Sequence, residues 1–165
     1  MCIIRKLLPT LAIALTFAGP ATTFAATKTA TFTVTATVIS DCTIVSASNI
    51  NFGNVGVMAS NTDATGTLNV SCTTGTPYNL ELDAGSATGS TLANRLMANG
   101  SNTLKYQLYR DSAYTNVWGI TIGTDTSAGT GTGSSSPFTV YARMPPQSTP
   151  VVGTYTSTVT ATIAF

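Results

Sequence analysis

Residues 29–38 read TATFTVTATV, and residues 154–165 read TYTSTVTATIAF. Both stretches alternate hydroxyl and apolar residues with the two-residue period of a β-strand that has one apolar face. In the first strand that face carries Ala30, Phe32, Val34, Ala36 and Val38. In the second it carries Tyr155, Val159, Ala161, Ile163 and Phe165. The alternation predicts one strand near the start of the folded chain and another near its end.

The second of these strands lacks a pairing partner, because no later strand follows it in the sequence. A long apolar strand with unpaired main-chain groups is an exposed sheet edge, which stable monomers avoid. We therefore expect another segment to cover it. A strand of the same kind from a second copy of the chain fits this role, which predicts a polymerising subunit rather than an enzyme.

The first 25 residues have the composition of a secretory signal peptide. Arg5 and Lys6 precede an apolar run over residues 7–18, and small residues lie near Ala25. The run is shorter than the roughly 20 residues that a membrane-spanning helix needs. We expect cleavage after Ala25 and an exported protein without a membrane span.

Two cysteines, Cys42 and Cys72, remain after Cys2 leaves with the signal. Because export places them in an oxidising compartment, we expect them to form a disulfide. A redox or metal pair would need a CxxC spacing or histidine partners, and the chain contains no histidine. Closing a loop of about 30 residues would stabilise the fold by roughly 3 to 4 kcal/mol.

Charge and chemistry both favour a structural role. Of seven basic residues, two lie in the signal, so five remain against six acidic ones, a formal charge of −1. The basic residues are scattered singly, which excludes a phosphate-binding stripe and hence a nucleic-acid partner. Glu81 and Asp83 share the polar face of a predicted strand, and most other acids adjoin turns. We predict no catalytic residue, no metal site and no cofactor.

The middle of the chain adds further short strands. Leu68–Cys72 and Tyr78–Leu82 form either a hairpin or a pair across a sandwich, and Thr103–Arg110 leads through a turn to Trp118 in a second hairpin. Residues 137–143 form another strand, and Phe52-Gly53 indicates a short one. The spacing predicts about seven strands and no ordinary helix, which is typical of an antiparallel β-sandwich.

Two stretches are less regular. Residues 84–101 fit either a helical turn or an irregular crossover, and the composition of residues 124–136 predicts a flexible surface loop. Trp118 has apolar neighbours and is expected in the core, although an exposed ring would suit a carbohydrate-binding surface.

An ordered series of motifs spans nearly all of the mature chain: Cys42, Phe52-Gly53, Leu68–Cys72, Pro77-Tyr78, Tyr106–Asp111, Trp118-Gly119, Tyr141 and Gly153-Thr154-Tyr155. This series resembles the spore coat protein U family, which includes subunits of archaic, Csu-type chaperone-usher pili. One position departs from the family pattern, because Ser157 stands where the family usually has an acid.

The resemblance implies an incomplete immunoglobulin-like antiparallel β-sandwich that lacks its C-terminal strand. It implies that a periplasmic chaperone lends a strand, and that at an outer-membrane usher the N-terminal extension of the next subunit replaces it. On this chain the extension is 26–40, with the donor strand at 29–38, and the pilin domain is 41–165. The strand from Tyr155 to Phe165 would line part of the acceptor groove.

The expected product is a structural pilin that passes through the periplasm to the cell surface and forms a fibre for adhesion and biofilm formation. A single domain with its own donor favours a shaft or adaptor subunit. The alternatives are a secreted spore or cell coat protein of the same fold and, from a different class, a monomeric carbohydrate-binding β-sandwich.

Overall fold

The computed structural model of the protein describes Gly19 and residues 23–165, so most of the predicted signal peptide lies outside the described residues. Eight β-strands belong to one unit, Thr37–Phe165. They are β1 (Cys42–Ala47), β2 (Thr62–Cys72), β3 (Pro77–Leu82), β4 (Arg95–Asn99), β5 (Asn102–Tyr109), β6 (Ser127–Thr130), β7 (Ser135–Met144) and β8 (Ala161–Ala164). The described residues contain no helix, and so none that could span a membrane. The all-β prediction is confirmed.

The strands form two antiparallel sheets, one with the order β1-β2-β7-β5-β4 and one with the order β6-β3-β8. The longest pairing joins β2 to β7, from Thr62 opposite Met144 to Ser71 opposite Ser135. The sequence left open whether Leu68–Cys72 and Tyr78–Leu82 form a hairpin or a pair across the sandwich. β2 and β3 lie in different sheets, so they form a pair across the sandwich.

The core lies between the sheets and is built from the inward faces of the alternating strands. Leu68, Val70 and Cys72 of β2 are buried, as are the alternate residues Tyr78, Leu80 and Leu82 of β3. Trp118 is 1% exposed, and its indole N–H donates to the carbonyl of Leu80 at 2.8 Å. The ring therefore belongs to the core, as expected, and is not available to stack on a sugar.

Two segments are more regular than the sequence indicated. β4 occupies residues 95–99, in the stretch expected to hold a helical turn or an irregular crossover, and pairs with β5 from Arg95 opposite Tyr106. β6 occupies 127–130, inside the expected flexible loop, and pairs with β3. Glycine permits this pairing, because a Cβ on Gly129 would lie 2.5 Å from the ring of Tyr78.

Four predicted strands are shorter or absent. One is the second arm of the predicted hairpin at Trp118, where only an isolated bridge between Tyr109 and Val117 is present. Residues 29–38 form no strand, and neither does Phe52-Gly53. In the C-terminal segment only 161–164 is a strand, because Thr156 pairs with Ala98 of β4 while Ala161 pairs with Leu82 of β3. The chain thus crosses from one sheet to the other and cannot form a single regular ladder.

The structure joins Cys42 to Cys72, which face each other where β1 begins and β2 ends. A Cys42→Ser/Cys72→Ser double variant should lose about 3 kcal/mol of stability, because the bond restricts a loop of 30 residues in the unfolded chain. Chemical denaturation of the exported protein measures this loss. A midpoint equal to that of the wild type would show that the bond contributes nothing.

Candidate functional site

Two strand edges lie side by side without being paired. Among the described residues, β1 pairs only with β2, and β8 pairs only with β3. Cα atoms of β1 and β8 approach within 8 Å, yet no ladder of hydrogen bonds joins the two strands. Each therefore has one row of main-chain donors and acceptors outside any ladder. Because paired strands lie about 4.8 Å apart, an added strand would have to move the two edges apart where they lie within 8 Å.

The two edges run in opposite directions between the ends of the domain. Two names are used for these ends. The Thr73 end is the end of the domain at which β2 finishes, and the Met144 end is the end at which β7 finishes. The first edge starts with Cys42 at the Thr73 end and continues past β1 to Phe52. The second starts with Tyr155 at the Met144 end and finishes beside β3 at the Thr73 end. We call the gap between these edges the groove.

At the Met144 end the groove widens into an open cavity of about 480 Å³. Its inner surface includes Met97, Leu104 and Met144 from the five-stranded sheet. Its rims are the loops 50–58 and 149–155. None of the residues that line the cavity is charged. The cavity therefore suits uncharged side chains.

The second edge keeps the predicted alternation even where it is not a regular strand. Tyr155, Val159, Ala161 and Ile163 are half-buried, whereas the residues between them up to Thr162 are exposed, apart from half-buried Ser157. Val159, Ala161 and Ile163 pack against the core. The Tyr155 hydroxyl donates to the carbonyl of Val151 at 2.8 Å. Phe165 differs from the other four predicted groove residues, because it is 60% exposed.

The predicted donor segment has no regular structure, and all five of its apolar residues are exposed. Phe32 is 88% exposed, Val34 84% and Val38 82%. Ala30 and Ala36 are exposed as well. A strand needs a partner for its main-chain groups, so alternation alone does not make this segment a strand within its own chain.

Arg95, which was not among the residues predicted from the sequence, is fully buried at the start of β4. Its guanidinium donates to the carbonyls of Leu82, Asp83 and Trp118 at 2.7 to 3.0 Å, and to the side chain of Gln107. Burial lowers the pKa of the guanidinium, while Tyr106 and nearby carboxylates oppose this effect. Arg95 stands between Asn94 and Leu96, and no pattern there distinguishes a buried arginine from an exposed one, so only the fold reveals this bridge between the sheets.

Asp83 fastens the second edge of the groove to the end of β3. Its carboxylate accepts hydrogen bonds from the main-chain N–H groups of Gly85 at 2.8 Å and Thr160 at 3.0 Å. Burial by itself would raise the pKa of this carboxyl, but the Thr160 and Gly85 donors and the charge of Arg95 hold it below its ordinary value of 3.8.

Because the pKa of Asp83 is lowered in the folded state, its carboxylate stabilises the fold at pH values above the ordinary pKa of 3.8. This contribution disappears as the pH falls through the folded-state pKa. We expect Asp83→Asn to cost about 1 kcal/mol at pH 7, because the carboxylate is partly solvated. Well below the folded-state pKa the difference from the wild type should vanish. Urea unfolding of both proteins at several pH values measures it, and a difference independent of pH would contradict the assignment.

Comparisons with known proteins agree on one family. A family profile described as Spore Coat Protein U domain matches residues 28–162. Protein U from Myxococcus xanthus is 37% identical over 156 residues, which cover 86% of this chain and 87% of that protein.

Among solved structures, the fold is similar to a chain in the CsuC–CsuE chaperone–tip adhesion subunit pre-assembly complex of the archaic chaperone-usher Csu pili of Acinetobacter baumannii. The TM-score is 0.58 at 24% identity. The match covers 78% of this chain and 41% of the other, so the present chain spans about two-fifths of its length. At this identity the likeness concerns the fold.

Proposed function

This chain belongs to the Spore Coat Protein U domain family, and we propose that it is a pilin-like structural subunit that polymerises by donor-strand exchange. In this proposal the segment 29–38 of one copy enters the groove of another copy. The product is a fibre on the cell surface that serves adhesion and biofilm formation.

One observation carries the proposal: a groove with two unpaired strand edges and an exposed segment with strand alternation occur in the same chain. An added strand gains main-chain hydrogen bonds along the edges, while its alternate side chains fill pockets. Neither residues 29–38 nor the cavity lining includes a charged side chain. Three large donor residues, Phe32, Val34 and Val38, would contribute roughly 5 to 9 kcal/mol on burial.

The geometry of the domain also favours one direction for the donor. The donor segment leaves its own domain at the Thr73 end, where β1 begins. If a donor ran antiparallel to residues 155–165, its last residue, Val38, would emerge from the acceptor at the Met144 end. The Thr73 end of each copy would then follow the Met144 end of the copy before it, and the arrangement could repeat without limit.

The opposite direction does not build a fibre. A donor parallel to residues 155–165 would emerge at the Thr73 end of the acceptor. The acceptor's own extension leaves from that same end, so three domains would crowd together. An open, head-to-tail assembly needs different surfaces at its two ends. We therefore infer that the donor lies antiparallel to β8.

We propose the chaperone and usher partners that the family resemblance implies. A subunit with an unfilled apolar groove would aggregate in the periplasm, so a chaperone that lends a strand protects it. An outer-membrane usher would then be the place where the donor of the next copy replaces that strand. The Csu structure supports this reading, since the matched complex contains a chaperone and a pilus subunit.

A second candidate is a coat protein that assembles on a cell or spore surface without an usher. The family description and the 37% identity to Protein U favour it. Genes for a chaperone and an usher beside this one would distinguish the pilin from the coat protein. The carbohydrate-binding alternative required an exposed Trp118 ring to stack on a sugar, and Trp118 is buried.

Competition by a peptide tests the proposed polymerisation. The exported protein, released from a chaperone, should form oligomers that size-exclusion chromatography and electron microscopy detect. An excess of a synthetic peptide with the sequence of residues 26–40 should cap the groove and stop growth. A peptide of the same composition in scrambled order serves as the control. A stable monomer, or growth that both peptides leave unchanged, would refute the proposal.

A further inference from the structure

The short link between the donor segment and β1 is held by one side chain. The Thr73 hydroxyl accepts a hydrogen bond from the main-chain N–H of Asp41 at 3.1 Å. The same hydroxyl can donate its one proton to the carbonyl of Ile39 at 3.1 Å, the shorter contact, or to the carbonyl of Asp41 at 3.3 Å. The main-chain N–H of Thr73 donates to the carbonyl of Asp41 at 2.9 Å. We call these contacts the Thr73 clamp.

The clamp lies on one particular side of the chain. β1 has β2 on one side and the groove on the other, and Thr73 directly follows the end of β2. Residues 39–41 therefore continue the line of β1 along the β2 side. The disulfide between Cys42 and Cys72 fastens the next pair of residues at the same place.

This position matters because a chain could fill its own groove. Residues 29–38 directly precede β1, and a loop of three residues is long enough to close a hairpin between antiparallel strands. A reversal at residues 39–41 would bring the donor back along β1 into the groove of its own domain. Such an intramolecular reaction has the advantage of a high effective concentration and would end polymerisation.

We propose that Thr73 is a positioning residue that keeps the donor segment out of its own groove and thereby commits it to a second copy of the chain. To reverse toward the groove, residues 39–41 must leave the β2 side, which breaks the bonds from Asp41 N–H and to Ile39 carbonyl. The inference rests on the proposed donor-strand exchange, because it assigns a direction to the same segment.

Three variants of the exported protein test the clamp. Thr73→Val keeps the shape of the side chain and the main-chain bond but removes both hydroxyl bonds, whereas Thr73→Ser retains the hydroxyl. Thr74→Val changes the exposed neighbouring residue. The proteins are refolded at low concentration, where self-insertion competes best with polymerisation, and size-exclusion chromatography measures the ratio of compact monomer to oligomer.

We expect Thr73→Val to raise the monomer-to-oligomer ratio about fivefold to tenfold, as the loss of two modest hydrogen bonds implies. Hydrogen exchange should then show protected amides over residues 30–38 in that monomer. Thr73→Ser and Thr74→Val should match the wild type. A Thr73→Val protein with the wild-type ratio and unprotected amides over 30–38 would overturn the role of Thr73.

The two proposals fail in different ways. If the wild type polymerises and the 26–40 peptide caps it, donor-strand exchange stands, and an unchanged Thr73→Val protein refutes the clamp alone. If the wild type stays monomeric, donor-strand exchange fails. Amide protection over 30–38 in the Thr73→Val monomer then still reports whether the clamp holds the segment outside its own groove.

Discussion

Replacing Phe32 by aspartate should abolish polymerisation while leaving the folded domain intact. Phe32 is 88% exposed in the single chain, so the substitution costs the domain nothing. In the assembled state the same side chain would enter an uncharged groove. There the aspartate would lose the burial of a large aromatic ring and would place a carboxylate in an apolar site, at a cost of several kcal/mol.

The control for this prediction lies one residue away. Thr33 has the opposite orientation in a strand, so Thr33→Asp keeps the charge but points it away from the groove. Electron microscopy should show fibres for Thr33→Asp and none for Phe32→Asp, while chaperone complexes form with both proteins. Deletion of residues 26–38 should also prevent fibres. Normal fibres from either the deletion or Phe32→Asp would show that another segment is the donor.

The second large effect is expected at Arg95. Methionine in its place would fill much of the same volume but would leave the carbonyls of Leu82, Asp83 and Trp118 without their donor. A buried acceptor without a partner costs about 1 to 3 kcal/mol, so we expect Arg95→Met to lose about 4 to 6 kcal/mol. Apolar replacement can be harmless when both partners are exchanged, but main-chain carbonyls cannot be removed.

Two further variants separate geometry from charge. Arg95→Lys keeps the charge but offers fewer donors from a single atom, so its stability should lie between that of the wild type and that of Arg95→Met. Arg143→Met removes a partly exposed arginine that pairs with Asp63, and should cost no more than about 1 kcal/mol. Chemical denaturation measures all three, and equal losses at both positions would contradict the role assigned to the buried guanidinium.

The strands with a clear alternation were predictable, because successive side chains of a strand lie on opposite sides and the alternation is visible within a few residues of sequence. β2, β3, β5 and β7 follow this rule, and their inward residues are the buried ones. β6 was missed because it consists of small residues without an apolar face. β6 forms because it pairs with β3, and Gly129 of β6 leaves room for the ring of Tyr78 in β3.

Four of the five predicted groove residues, Tyr155, Val159, Ala161 and Ile163, are half-buried, whereas Phe165 is exposed and Ala164 is half-buried on the other face; their role in a groove stays a prediction. The exposed donor segment was predicted as a strand, and its role stays a proposal. Met97 and Leu104 face each other in neighbouring strands, but the inner surface of the cavity was not predictable as a whole, since Met144 comes from a strand about 40 residues later in the chain.

By itself the sequence determined the all-β class, the cysteine pair and the two alternating ends, because each follows from composition or from the order of neighbouring residues. The tertiary structure alone decided which edges stay unpaired, where Arg95 finds its carbonyls and which side of β1 the Thr73 clamp holds. These features depend on groups that are far apart in the chain and meet only when the sheets pack. A main-chain donor or acceptor has no preferred partner until folding brings one within hydrogen-bonding distance.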